Sequence, residues 1–227
     1  SAWIEVEPQD WDPNNNSTAL AIHLDVVTPI AEARMRMGET LVIEGVVTTE
    51  PGVFTFQGNP RYMYIQDDTG GILVYLGGSG LNPVDRDNLV QVTGTIGEYR
   101  TETQIELATP ADVVDLGPDT PVVPEQMTTG AAATEEVEGQ LVQVVGYIVY
   151  KPNAYTLHVD DGSGIVEVYR FFNLGQTGDP NYIDFSDYIV GDLISATGVA
   201  RGYAYNETVR REILPRGPAD ILELPFV

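Results

Sequence analysis

Apolar and polar positions along this chain alternate with a period of two, in short runs separated by glycine, proline and aspartate. Leu41 to Thr49, Tyr62 to Gln66, Ile72 to Leu76, Asn88 to Gly97, Gln104 to Leu107 and Val113 to Leu116 read as strands of half-buried sheets. Leu141 to Tyr150, Tyr155 to Val159, Ile165 to Phe171, Leu193 to Ala200, Val209 to Leu214 and Ile221 to Leu224 follow the same plan. Helical expectations are slight. Ile30 to Met37 predicts a short helix ended by Gly38, and the Thr-Gly-Ala-Ala-Ala-Thr-Glu-Glu stretch at 129–136 predicts one turn or two.

The two sets of strands are copies of one unit. Asp67-Asp68-Thr69-Gly70-Gly71-Ile72 recurs as Asp160-Asp161-Gly162-Ser163-Gly164-Ile165, a separation of 160 − 67 = 93. The Gly94 of one apolar strand returns as Gly198 (198 − 94 = 104), and Pro110-Ala111-Asp112 returns as Pro218-Ala219-Asp220 (218 − 110 = 108). Order is kept while spacing drifts by loop insertions, so a small β domain is used twice. The expected division is an extended N-terminal segment at 1–29, a first domain at 30–116, a linker at 117–139 and a second domain at 140–227. Pro118, Pro121 and Pro124 predict a stiff, extended start to that linker. The Asp-Asp-Gly turns supply the side-chain-to-backbone bonds and positive φ of tight hairpins. Mid-strand Gly45 and Gly146 predict a bulge or bend in the first strand of each unit.

Five strands per unit, with glycines in the first and fourth and a short hairpin between the second and third, describe a five-stranded Greek-key barrel. The stretches Tyr64-Ile65-Gln66-Asp67-Asp68-Thr69-Gly70-Gly71-Ile72 and Leu157-His158-Val159-Asp160-Asp161-Gly162-Ser163-Gly164-Ile165 resemble OB-fold modules. The resemblance is to acidic modules of secreted bacterial proteins, often beside extracellular nuclease or phosphatase domains. It implies an all-β chain of two tandem OB-like Greek-key barrels that binds rather than catalyses, at the cell surface or outside the cell. One departure is plain: the helix usual between the third and fourth strands has no counterpart in Gly77 to Asp87.

Charge and composition narrow the function classes. With 34 acids against 11 cations among 227 residues, the formal charge is −23. Such a field repels phosphate backbones, so nucleic acid is disfavoured as a partner. There are no cysteines, which excludes disulfides and thiolate chemistry. No apolar run approaches the roughly 18 residues of a membrane span. The first residue is Ser1 rather than Met, as expected of a processed mature protein or an excised piece. The two histidines, His23 and His158, stand in different segments, and Gly78-Ser79-Gly80 and Gly162-Ser163-Gly164 are turns rather than nucleophile elbows. A non-enzymatic protein is expected.

OB-folds bind through the face of their second and third strands, using aromatic platforms and cations. The second unit offers Tyr150, Lys151, Tyr155, Tyr169, Arg170, Phe171, Arg201, Tyr203, Tyr205, Arg210 and Arg211. The first offers Phe54, Phe56, Arg61, Tyr62, Tyr64, Tyr75, Tyr99 and Arg100. These side chains either line a groove for an oligonucleotide or sugar, or fill the barrels and the seam between them while the arginines pair with carboxylates. Asp10-Trp11-Asp12-Pro13-Asn14-Asn15-Asn16 has oxygen ligands at Ca²⁺-loop spacing but lacks the central glycine and closing glutamate. Asn15, Asn16 and Asn206 begin glycosylation sequons. Outside the repeats, Trp3, Ile4 and Val6 lie on an apolar–acidic strand expected to pair with an exposed sheet edge of its own chain or of a neighbour. From it follows the first functional expectation: a structural protein whose partners are copies of itself or another surface protein, able to form filaments.

Overall fold

The computed structural model describes residues 2–5, 21–24, 26–78, 80–176 and 178–225, the first two stretches as backbone only. In chain order the elements are β1 (Ala2–Glu5), β2 (Ala21–Leu24), α1 (Ile30–Ala33), β3 (Thr40–Thr49), β4 (Tyr62–Gln66), β5 (Gly71–Tyr75), β6 (Asn88–Tyr99), β7 (Glu102–Glu106) and β8 (Val113–Pro118). They continue with β9 (Glu125–Gln126), α2 (Thr129–Ala132), β10 (Leu141–Tyr150), β11 (Thr156–Asp160), β12 (Ile165–Tyr169), β13 (Leu193–Tyr205), β14 (Thr208–Leu214) and β15 (Ile221–Glu223).

The chain is all-β and builds two OB-like barrels. In the first, the order β3-β4-β5-β7-β6 closes through β3 against β6, with β8 added beside β6. The second repeats it as β10-β11-β12-β14-β13, closed by β10 against β13 and extended by β15 and β9. In both barrels only the third and fifth strands run parallel (β5–β7 and β12–β14), which is the Greek-key crossover. Alternation sorts the faces: Met63, Ile65, Ile72 and Val74 fill the first barrel, and Leu157, Val159, Val166 and Val168 the second.

The central glycines have a different cause from the one expected. The register shifts lie beyond them, between Val47 and Thr49 in β3 and between Ile148 and Tyr150 in β10. Gly45 and Gly146 instead sit where the end of the next strand crosses closely: a Cβ on Gly146 would be 2.9 Å from the Asp160 carbonyl carbon. The repeat register also needs correcting. Gln66 pairs with Gly71 and Asp160 with Ile165, so the hairpins superpose at 160 − 66 = 94, one residue off the Asp-for-Asp match. Asp67 therefore corresponds to Asp161. Each carboxylate accepts the backbone N–H that opens the preceding short helix, Ile30 (2.9 Å) in one repeat and Thr129 (3.2 Å) in the other.

Much of the sequence-stated linker belongs to the second barrel: β9 pairs in parallel with β10, and α2 packs against β10 and β12. At the N-terminus β1 pairs antiparallel with β2, from Ala2↔Leu24 to Glu5↔Ala21. The backbone of Trp3 and Ile4 thus finds its partner within the same segment, and among the described residues no pairing joins it to a barrel edge. Val6, Val227, the Asp10–Asn16 loop and the Asn15 and Asn16 sequons lie outside the described residues. Among the described residues no helix is long and apolar enough to cross a membrane.

Candidate functional site between the barrels

The outward residues of β4 and β5 are Tyr62, Tyr64, Leu73 and Tyr75, and this is the face on which the second barrel docks. One buried cluster runs across the seam, joining Val53, Phe54, Tyr64 and Leu73 to the core of the second barrel. Phe171 is the wedge, with its ring 5.2 Å from Phe54 and 5.9 Å from Tyr62, while Phe172 meets Phe56 edge-on at 6.1 Å. Polar bonds lock the arrangement. Asn173 Nδ2 donates to the Val53 carbonyl (2.9 Å), Arg216 Nη1 to the Thr48 carbonyl (3.0 Å), and the Leu141 amide to Gln66 Oε1 (2.8 Å).

Docking leaves a cleft of about 650 Å³, a volume within the usual range for small-ligand sites. Its first-barrel wall carries Phe56, Arg61, Tyr62, Tyr75 and Tyr99; its second-barrel wall carries Tyr169, Phe172, Tyr203, Tyr205 and Arg210. Tyr62 and Tyr75 stack at 5.7 Å across the β4–β5 pair, as their register dictates. The base is polar: Tyr64, Glu102, Gln104, Arg201 and Glu212.

That base holds ionised groups away from water. Arg201 and Glu212 are cross-strand partners on β13 and β14, both buried, and the guanidinium donates to Glu212 Oε2 through Nε (3.1 Å) and Nη2. The Arg201 guanidinium also lies 4.7 Å from the Tyr203 ring centroid. Desolvation works against its charge, but the Glu212 and Glu102 carboxylates outweigh it and hold Arg201 firmly protonated. Glu102 forms no ion pair among the described residues. Its Oε1 accepts the Tyr64 hydroxyl at 2.5 Å. Burial pushes the Glu102 carboxyl up to about 7, against the opposing pull of Arg201. Burial, followed by the nearby Glu102, also drives the Tyr64 phenol well above its ordinary value.

Of the side chains singled out from sequence, Tyr169, Phe171, Arg201, Tyr203, Tyr205 and Arg210 meet in the cleft, together with the first-barrel set apart from Arg100. Arg100 stands just outside, donating to the Ala204 carbonyl and lying over Tyr203. Three cations do structural work elsewhere. Lys151 Nζ donates to the Phe185 and Tyr188 carbonyls, and Arg170 Nη1 to the Ile183 carbonyl, so both hold down the insert after β12. Arg211 faces Glu135 and Glu138 on the seam. Tyr150 is exposed at the end of β10, edge-on to His158. Sequence reasoning missed Phe172, Glu102, Gln104 and Glu212. For β7 the available signal was period, since Glu102 and Gln104 lie two residues apart on one buried face; Glu212 follows Arg210 and Arg211 in β14 and carried no such signal.

No protein-family model and no curated protein sequence matches the chain. Among solved structures it is similar to the tetrameric p202 HIN2 (9% identity over 83% of this chain and 96% of that one, TM-score 0.40). It is also similar to a replication protein A heterotrimer bound to ssDNA (10% identity, 92% and 71% covered, TM-score 0.32). A third likeness is to an OBody, AM3L09, bound to hen egg-white lysozyme (22% identity, 45% and 97% covered, TM-score 0.35). At these identities and scores they say nothing of what this chain binds.

Proposed function

We propose that this chain is a non-catalytic binding module that takes a ring-bearing ligand, a sugar or a nucleobase, into the cleft between its two OB-like barrels. The observation that carries the reading is the composition of the walls: aromatic side chains from both barrels face one space, over a floor of carboxylate, amide and guanidinium groups. Rings stack flat ligands and the apolar faces of sugars, while the floor offers donors and acceptors that fix orientation. In the first barrel, the OB face of β4 and β5 is then used jointly with a neighbour instead of alone. The acidic composition supports a place at the cell surface or outside the cell.

The test is titration of the purified chain with neutral and acidic oligosaccharides and with oligothymidylate, followed by calorimetry. Tyr62→Ala and Tyr75→Ala are expected to weaken whichever ligand binds by roughly tenfold each, on the scale of one lost stacking contact. Tyr150→Ala, outside the cleft, leaves affinity unchanged. Binding that ignores the Tyr62 and Tyr75 substitutions would remove the cleft from the reading.

A further inference from the structure

The cleft also holds an arginine whose side chain makes no hydrogen bond or ion pair among the described residues. Arg61 lies on the first-barrel wall with its guanidinium 5.6 Å from the Phe56 ring centroid. Its Nε is buried and has no hydrogen-bond partner among the described residues. Arg170 Nε and Arg211 Nη1 are buried without a partner too, but those two side chains are engaged through their other nitrogens. Arg34, Arg36, Arg86, Arg201, Arg210, Arg211 and Arg216 each face a carboxylate within 4.0 Å. Arg100 and Arg170, which face no such carboxylate among the described residues, spend donors on the Ala204 and Ile183 carbonyls. Arg61 does neither. Its terminal nitrogens, unlike Nε, are not closed off and make no hydrogen bond among the described residues, so they are the donors that an acceptor arriving from outside can reach.

Resting on the cleft reading above, we infer that the ligand is a sugar bearing a carboxylate, and that Arg61 is the side chain that reads its charge. A guanidinium fork matches a carboxylate with two parallel bonds. The floor favours the sugar over a nucleotide. Glu102, Gln104 and Glu212 present oxygens that accept from ring hydroxyls, whereas a phosphodiester has no hydrogen to give them and is repelled by the acids. Within the cleft three arginines, Arg61, Arg201 and Arg210, stand against two carboxylates, Glu102 and Glu212, so the carboxylate that meets Arg61 enters a locally less acidic space than the rest of the surface.

The experiment is a matched calorimetric series at pH 7.5 and low salt: trigalacturonate, neutral trigalactose and trithymidylate, each against wild type, Arg61→Gln and Arg61→Lys. Wild type is expected to hold trigalacturonate roughly tenfold more tightly than trigalactose, the scale of one charge-assisted bidentate contact. Arg61→Gln removes that preference, bringing trigalacturonate to the affinity of trigalactose, and Arg61→Lys restores it in part. Melting curves of the variants confirm that they fold. Equal affinity for both sugars, a preference that survives Arg61→Gln, or tightest binding of trithymidylate overturns the inference while leaving the cleft as a binding site. Absence of binding by every probe overturns the inference and counts against the cleft itself.

Discussion

Gly71 and Gly139 meet backbone to backbone across the seam between the barrels. A Cβ on Gly71 would lie 2.1 Å from the Gly139 carbonyl oxygen, and one on Gly139 would lie 2.4 Å from the Gly71 carbonyl. Nearby, Arg34 Nη1 donates to the Gly71 carbonyl (3.0 Å) and to that of Glu138 (2.9 Å), bolting the two turns together. Because the contact is backbone on backbone, no side chain can move aside. Gly71→Ala is expected to lower stability by about 1–3 kcal/mol, the usual cost of overpacking. Gly139→Ala should cost more, since its φ of +83° is also strained for any residue with a Cβ. Thermal unfolding checks both, and wild-type melting of Gly71→Ala would show that the barrels separate freely.

Arg201 and Glu212 form a buried pair beneath the cleft. Removing one partner strands the other away from water, so Arg201→Met alone is expected to destabilise by roughly 3–5 kcal/mol. The double change Arg201→Met with Glu212→Leu should recover most of that loss, because two apolar side chains need no pairing. Denaturant unfolding of the two single variants and the double one measures the coupling. Purely additive losses would argue against the pair.

Glu102 gives stability a pH dependence of unusual sign for a carboxylate. Its folded-state value is raised to about 7, against 4.5 for the free side chain. Between those values the folded chain holds a proton that the unfolded chain has released, so raising the pH across this window weakens the fold. The separation corresponds to at most about 3 kcal/mol. Glu102→Gln stays neutral and can still accept from the Tyr64 hydroxyl. It is expected to match wild type near pH 5 and to be the more stable protein at pH 8. Equal stability of the two proteins at both pH values would mean that Glu102 is not held protonated.

The two aspartates of the first hairpin turn should respond differently. Asp67 accepts from the amides of Ile30, Thr69 and Gly70, tying the hairpin to α1. Asp68 makes no hydrogen bond among the described residues. Asp67→Ala is expected to cost about 1 kcal/mol, the typical loss of a capping side chain, and Asp68→Ala close to nothing. Urea midpoints of the pair decide it. In the second repeat the equivalent cap is the later aspartate of the pair: Asp161 is held below the usual carboxylate range, first by the Ser163 hydroxyl and then by Thr129.

Local pattern carried a large part of this protein. Alternation in the two strand sets, the glycines at close strand crossings and the Asp-Asp turns determined two barrels of one topology, because face selection and turn geometry depend on residues a few positions apart. Boundaries were less legible. Strand β13 runs to Tyr205, five residues past the stretch its apolar pattern marks, and the Arg201, Tyr203 and Tyr205 that it carries belong to the cleft. Only the tertiary structure decided that the β4–β5 face of one barrel would be covered by Phe171 of the other. The same packing selected which arginines line the cleft and which became struts, and kept Glu102 from water. Burial, pairing and the pKa values that follow are set by surfaces brought together from positions as far apart as Arg61 and Glu212, and no spacing along the chain records that meeting.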